Sequence, residues 1–212
     1  NDLTLAFWLI VAGIVFDFFD GFVARLLHSS SAIGVQLDSL ADVITSGLAP
    51  AAVLWQVCLQ TEPCWLPETW KLGYGVFVLA AFFALRLAKF NIDETQTVEF
   101  CGLPTPAGSL LCASLGMLWQ QGAVALSSDG VLLIAVLTSL LLVSPIRMFA
   151  LKFHGFGWRG NEVRYLFLLA SIVLIIILRT YAIPVIIVLY IVVSAVRWLC
   201  MRSGNPDKAP KA

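Results

Sequence analysis

The sequence predicts an all-α polytopic membrane protein, a helical bundle of seven spans that forms one domain over residues 1–212. Three observations lead there. Of the 212 residues, 60% are hydrophobic and only 12% are charged, whereas a soluble domain carries about 25% charged and 45–50% apolar residues. The mean hydropathy is +0.92, and a larger core does not explain it. A chain of about 150–200 residues has too much surface to cover with so few ionic groups. The apolar residues also fall into long runs, not into the short alternating segments of a β-barrel. A soluble enzyme and a disordered chain are thereby excluded. Thirteen Lys+Arg balance thirteen Asp+Glu, so no net field attracts a polyanion, and nucleic-acid binding is excluded too.

Roughly 20 mostly apolar residues cross the hydrocarbon core as a helix. In chain order the spans are expected at 3–23, 37–59, 72–90, 106–125, 131–149, 165–178 and 183–199. The sixth is short, but Arg164 and Arg179 at its ends can snorkel and let it extend. Only Arg179-Thr-Tyr-Ala182 separates the last two, and Pro184 opens the final span as a tight hairpin requires. The polar stretch 91–103 is too short to be a second domain. Of the five cysteines, Cys58 and Cys64 flank a polar loop while Cys101, Cys112 and Cys200 are scattered, which reads as small apolar residues, not a disulfide framework.

Basic residues set the orientation. Arg25, Arg86, Lys89, Arg147, Lys152, Arg159, Arg164, Arg197, Arg202, Lys208 and Lys211 fall on one side, against only Lys71 and Arg179 on the other. Asn1 is therefore expected outside, with the C-terminus in the cytoplasm. The first run lacks the basic flank of a cleavable signal, and an odd span count with an outside start suggests one further span before Leu3.

Acidic residues inside the first two spans carry the chemistry. Asp17 and Asp20 are three residues apart, about 60° around a helix, and Asp38 and Asp42 are four apart, about 40°. Each pair shares a face, and the short Ser-rich turn between the spans makes them antiparallel neighbours. A carboxylate within a span costs about 2.5–3.5 kcal/mol, and four together repel one another. Arg25 is the one nearby basic residue, so salt bridges do not neutralise the cluster. Hard oxygen donors without His or Cys suit two divalent ions, Mg²⁺ or Mn²⁺, as in two-metal phosphoryl-transfer sites. A solvated interfacial face and a proton or ion relay are the competing readings.

The pattern Asp17-x₂-Asp20-Gly21-x₂-Ala24-Arg25-x₈-Gly34-x₃-Asp38-x₃-Asp42 resembles the signature of the CDP-alcohol phosphotransferases at all eight positions over 26 residues. Gln36-Leu-Asp-Ser-Leu-Ala-Asp42, Gly47-Leu-Ala-Pro50, Leu85-Arg-Leu-Ala-Lys-Phe-Asn91, Gly102-Leu-Pro-Thr-Pro106 and Trp158-Arg-Gly-Asn-Glu-Val-Arg164 are similar to its bacterial serine-using branch. Thr45-Ser46 departs from the Ser-Phe of that branch. The resemblance implies transfer of the phosphatidyl group from CDP-diacylglycerol to the hydroxyl of L-serine, with release of CMP, at the cytoplasmic face of the cell (inner) membrane. It also implies a homodimer among membrane lipids.

By the same resemblance, Asp17, Asp20, Asp38 and Asp42 hold the metals, and Asp42 is the general base that takes the serine hydroxyl proton. Gly21 and Ala24 offer a bare surface for cytidine, with close helix packing as the other reading. Arg25 and Ser31 are expected on the phosphates, with positive-inside anchoring as the other reading of Arg25 and Ser29 and Ser30 equally plausible by composition in place of Ser31. Serine is a zwitterion and needs a cation for its carboxylate. Arg86, about one turn inside its span, is the candidate, with Lys89, Asn91 and Thr105 beside it. Arg147, Lys152, Arg159 and Arg164 read as membrane-surface anchors or phosphate contacts. His28 and His154 read as interfacial residues. Gly108, Cys112 and Gly116 form a small stripe that predicts close helix contact, within or between protomers. Other acceptors, glycerol phosphate or inositol phosphate, are the nearest alternatives, and an ion-coupled transporter is the alternative from another class. The last three spans hold no acidic counterpart to the cluster, against the internal repeats of many transporters.

Overall fold

The computed structural model describes residues 2–27, 31–65, 72–92, 99–149 and 161–204. Eight α-helices dominate these residues: α1 (Leu3–Leu26), α2 (Ala32–Asp42), α3 (Ala49–Cys58), α4 (Val78–Ile92), α5 (Thr105–Gln120), α6 (Ser128–Leu142), α7 (Glu162–Leu178) and α8 (Ala182–Gly204). Among the described residues, four stretches are long and apolar enough to cross a membrane: Leu3–Ala24, Ile33–Cys58, Gly73–Ile92 and Glu162–Cys200. The last is folded in two by the 3-10 turn Arg179–Tyr181, where Arg179 adopts a φ of 47°. The protein is an all-α membrane protein.

The helices alternate direction, so their ends gather at two poles. At one pole the N-terminus of α1 meets the C-terminus of α5, where Leu3 N–H donates to Gln120 Oε1 at 2.6 Å. Tyr181, in the α7–α8 turn, donates its hydroxyl to Ala123 O at 3.4 Å there. At the other pole lie the C-terminal half of α1, the start of α2, the ends of α4 and α6, and a two-stranded pairing of β1 (Glu99–Cys101) with β2 (Arg147–Phe149). All four signature aspartates are at this second, acidic pole.

Three elements depart from the sequence-based expectation. Helices α2 and α3 form one rod, but a π-helical turn, Val43–Leu48, interrupts it directly after Asp42. Thr45 Oγ1 donates back to Ala41 O at 3.0 Å, and such wide turns recur at functional sites. The expected span 131–149 ends early, because Pro145 has no N–H and disfavours helix at the residue before it. The chain leaves α6 at Leu142 and enters β2. Finally, the span expected from residue 72 opens as the 3-10 turn Leu72–Phe77, in which a Cβ on Gly73 would lie 3.1 Å from Trp55 Cδ1.

Lipid is as apolar as a side chain, so close packing rather than burial from water holds such helices together. Gly47 shows it: a Cβ there would sit 3.0 Å from Phe83 Cβ, and Phe83 is fully buried. The Gly108–Cys112–Gly116 stripe packs within the protomer. Gly108 faces Phe83, Leu103 and Leu142, while a Cβ on Gly116 would collide with Val53. Residues such as Phe16, Leu169 and Ile176 face outward, as a lipid-exposed surface requires. All five cysteines are free thiols, with Cys58 and Cys112 buried.

Gly102 places the loop that leads into α5. Its φ is 76°, and a Cβ would strike the Leu142 carbonyl, so no other residue fits without moving the chain. The N–H groups of Gly102 and Leu103 donate to Ile146 O and Leu141 O, each at 2.9 Å. This fixes Pro104-Thr105 against the end of α6.

The opposite pole is closed by Asp129. Its Oδ2 accepts from the N–H groups of Cys64 at 3.0 Å and Trp65 at 2.6 Å, and its Oδ1 from Gly130 N–H at 2.9 Å. Burial pushes this carboxyl up, but the Ser127 hydroxyl and the N–H groups of Trp65, Cys64 and Gly130 outweigh it and hold the group below the usual carboxylate range. A depressed folded pKa gives stability that is present above the unfolded value and lost as pH falls through the folded one. The melting-temperature gap between wild type and Asp129→Asn is therefore expected to be full at neutral pH and to shrink only below about pH 4. A gap that is constant down into strong acid would show that the carboxylate charge does not hold this loop.

Candidate active site

Chain geometry alone brings the acidic residues together. Asp17 and Asp20 project from the last turns of α1, and Asp38 and Asp42 from the rod that returns beside it. Ligand oxygens of Asp17, Asp20 and Asp38 lie within 4.8 Å of one another. Oxygens bound at about 2.1–2.4 Å to one octahedral cation are separated by about 3.0–4.8 Å, so the three carboxylates suit a single hard divalent ion. Asp17 is half-buried, while Asp20 and Asp38 are exposed, so the donor face opens outward where a ligand can reach it. Asp42 is one turn deeper than Asp38 and within hydrogen-bonding reach of Asp17. It is also an electrostatic neighbour of Arg86 on α4.

The motif's small residues have separate local roles. A Cβ on Gly21 would meet no atom within 4 Å, so helix packing among the described residues does not explain this glycine. It borders open space beside Asp17 and Asp20. Gly34 has a different reason: Ser31 Oγ caps α2 by accepting from Gly34 N–H at 3.0 Å, and a Cβ on Gly34 would lie 3.0 Å from that oxygen. Ser31 keeps its own O–H free of this cap bond, next to the positive end of the α2 dipole. Ala24 is half-buried on the same helix as Gly21. The Arg25 side chain lies outside the described residues, as do His28, Lys152, His154 and Arg159.

Arg86 is 7% exposed, and its Nη1 donates to Thr105 Oγ1 at 2.8 Å. The Gly102 turn and the Pro104 N-cap of α5 put Thr105 there. Arg86 and Lys89 line one cavity of about 370 Å³ with Phe90, Ile92, Cys101, Leu142, Val143, Ser144 and Pro145. Asn91 is not among its lining residues; it donates Nδ2 to Ser39 Oγ at 2.9 Å and ties α4 to the acidic rod. Ser39 was not singled out from sequence, because its role depends on a contact 52 residues away. Arg164 corrects another expectation. It is buried and donates Nη1 to Asn161 Oδ1 at 3.0 Å, so it is not a snorkelling surface anchor.

The profile of the CDP-alcohol phosphatidyltransferase family matches residues 1–145. This chain belongs to that family. Curated proteins similar to it carry the name CDP-diacylglycerol–serine O-phosphatidyltransferase. The Helicobacter pylori protein is 31% identical over 200 residues, covering 92% of this chain and 80% of its own length. The Bacillus subtilis protein is 33% identical over 155 residues, 73% of this chain and 80% of its own. That of Mycobacterium tuberculosis is 34% identical over 220 residues, 96% of this chain and 73% of its own. The chain is thus a membrane-bound transferase of the CDP-alcohol phosphatidyltransferase family, with an acidic cluster whose donors fit a divalent metal.

Proposed function

We propose that this protein is a phosphatidylserine synthase, transferring the phosphatidyl group of CDP-diacylglycerol to L-serine. The observation that carries the reading is the juxtaposition of two unlike sites through one pair. Asp42, beside the three-carboxylate cluster, neighbours Arg86, the buried cation of the adjoining cavity. The names of the similar proteins support serine as the acceptor.

In this reading Asp17, Asp20, Asp38 and Asp42 hold two divalent cations, Mg²⁺ or Mn²⁺. When bound, these would neutralise the pyrophosphate and stabilise the leaving CMP. Gly21 and Ala24 accept the cytidine against the bare flank of α1. Arg25 and the Ser31 hydroxyl hold the phosphates at the start of α2. Arg86, steadied by Thr105, binds the serine carboxylate, and Lys89 adds a second positive charge at the cavity wall. Asn91 keeps α4 in register with the rod through Ser39. Asp42 then takes the proton as the serine Oγ attacks the lipid-bearing phosphorus. The bond from that phosphorus to the CMP oxygen breaks, and CMP leaves with the electron pair. A seven-span arrangement with the acidic pole at the cytoplasmic face of the cell membrane follows from the asymmetry of basic residues. The working unit in this reading is a homodimer.

An acceptor panel tests the assignment. Purified protein with CDP-diacylglycerol is expected to label lipid from radioactive serine and not from glycerol phosphate or inositol phosphate. Preferred incorporation of either phosphorylated acceptor would reassign Arg86 and Lys89 to a phosphate group.

A further inference from the structure

The Arg86 guanidinium is held by parts from several segments. Thr105 on α5 accepts from Nη1, the Phe90 ring lies 5.9 Å from Cζ, and Asp42 faces it electrostatically. Tyr190, on α8, is a further electrostatic neighbour of Arg86. Tyr190 is 7% exposed, and its hydroxyl donates to Phe149 O of β2 at 2.9 Å. Its ring packs at 4.9 Å from that of Phe149 and 5.8 Å from that of Phe167. Strand β2 pairs Arg147 with Cys101, and Cys101 lines the cavity that also holds Arg86. One phenol is therefore bonded to the strand pair that walls the cavity of Arg86, within electrostatic range of that cation. Among the described residues, Arg86 Nε is buried without a hydrogen-bond partner, which leaves one donor of this cation for a ligand. Helix α8 lies beyond residues 1–145 matched by the family profile, outside the part that carries the aspartate signature.

We propose that Tyr190 is a positioning residue for the acceptor: its hydroxyl, tied to the Phe149 carbonyl, holds Arg86 and the β1–β2 wall in the geometry that receives the serine carboxylate. The inference rests on the reading of Arg86 as the carboxylate-binding residue. A well-held fork binds a carboxylate better than a mobile one. The C-terminal hairpin thus contributes to acceptor recognition and leaves the phosphoryl chemistry to α1 and α2.

Tyr190→Phe keeps the ring packing and removes only the hydroxyl. It is expected to raise the KM for serine about fivefold, the size of one ordinary hydrogen bond. The KM for CDP-diacylglycerol and the kcat should stay within about twofold, since neither the metal cluster nor Asp42 is touched. Because Tyr190 acts through Arg86, adding Tyr190→Phe to Arg86→Lys should cause no further rise. A lowered melting temperature with unchanged serine KM would reduce Tyr190 to a packing residue and overturn the proposal, as would full additivity in the double variant. A wild type whose CMP release ignores serine would sink the Arg86 reading and this inference together. A serine-dependent wild type with an unmoved Tyr190→Phe would sink this inference alone.

Discussion

Asp17→Asn, Asp20→Asn and Asp38→Asn are each expected to abolish CMP release, by at least about 100-fold, while leaving the protein folded. A divalent ion at a phosphoryl group stabilises the transition state by several kcal/mol, and each 1.36 kcal/mol corresponds to about tenfold in rate. Asparagine retains the shape and one acceptor oxygen but removes the charge that holds the cation. The stability effect should have the opposite sign to that of a structural lesion. Each variant relieves repulsion within a cluster whose oxygens lie within 4.8 Å of one another, so the metal-free protein should melt no lower than wild type. Wild type should gain thermal stability from Mg²⁺ or Mn²⁺ by mass action, and the variants should not. A variant that loses activity along with several degrees of metal-free stability would point instead to a structural role for that aspartate.

The second large effect separates chemistry from acceptor binding. Asp42→Asn is expected to lower kcat by about 10²–10⁴-fold, the usual size of a general-base contribution, with the KM for serine little changed. Arg86→Lys should do the reverse. Lysine keeps the positive charge that Asp42 faces but loses the fork, so the KM for serine should rise roughly ten- to hundredfold while kcat persists. Slow hydrolysis of CDP-diacylglycerol by water should survive in Arg86→Lys, because the cluster and Asp42 are intact. Steady-state kinetics with each substrate varied in turn resolves the pair. A normal serine KM in Arg86→Lys would move the carboxylate contact to Lys89, the other cation of that cavity.

Local spacing made the acidic site legible from sequence. Three- and four-residue intervals put each aspartate pair on one face, and a short turn brought the faces together. Helix type was legible for the same reason, since long apolar runs have few other solutions. What escaped depended on distant contacts. The π turn after Asp42 follows from Gly47 closing on Phe83 of α4 and from Thr45 bonding back to Ala41, and no periodicity announces it. The early end of α6 had a local signal in Pro145, but hydropathy outweighed it. Arg164 reads as a surface anchor by position, but Asn161 accepts from it inside the fold. Tyr190 looked like any aromatic residue in a span, and only its bond to Phe149, 41 residues away, gives it a role.

The most direct test is CMP release from CDP-diacylglycerol in detergent, with and without serine, in Mg²⁺, in Mn²⁺ and in excess chelator. Release that requires serine and a divalent ion together, and stops in chelator, is the expected result. Turnover at the wild-type rate in excess chelator would contradict it, because four aspartates without a metal would then need another purpose.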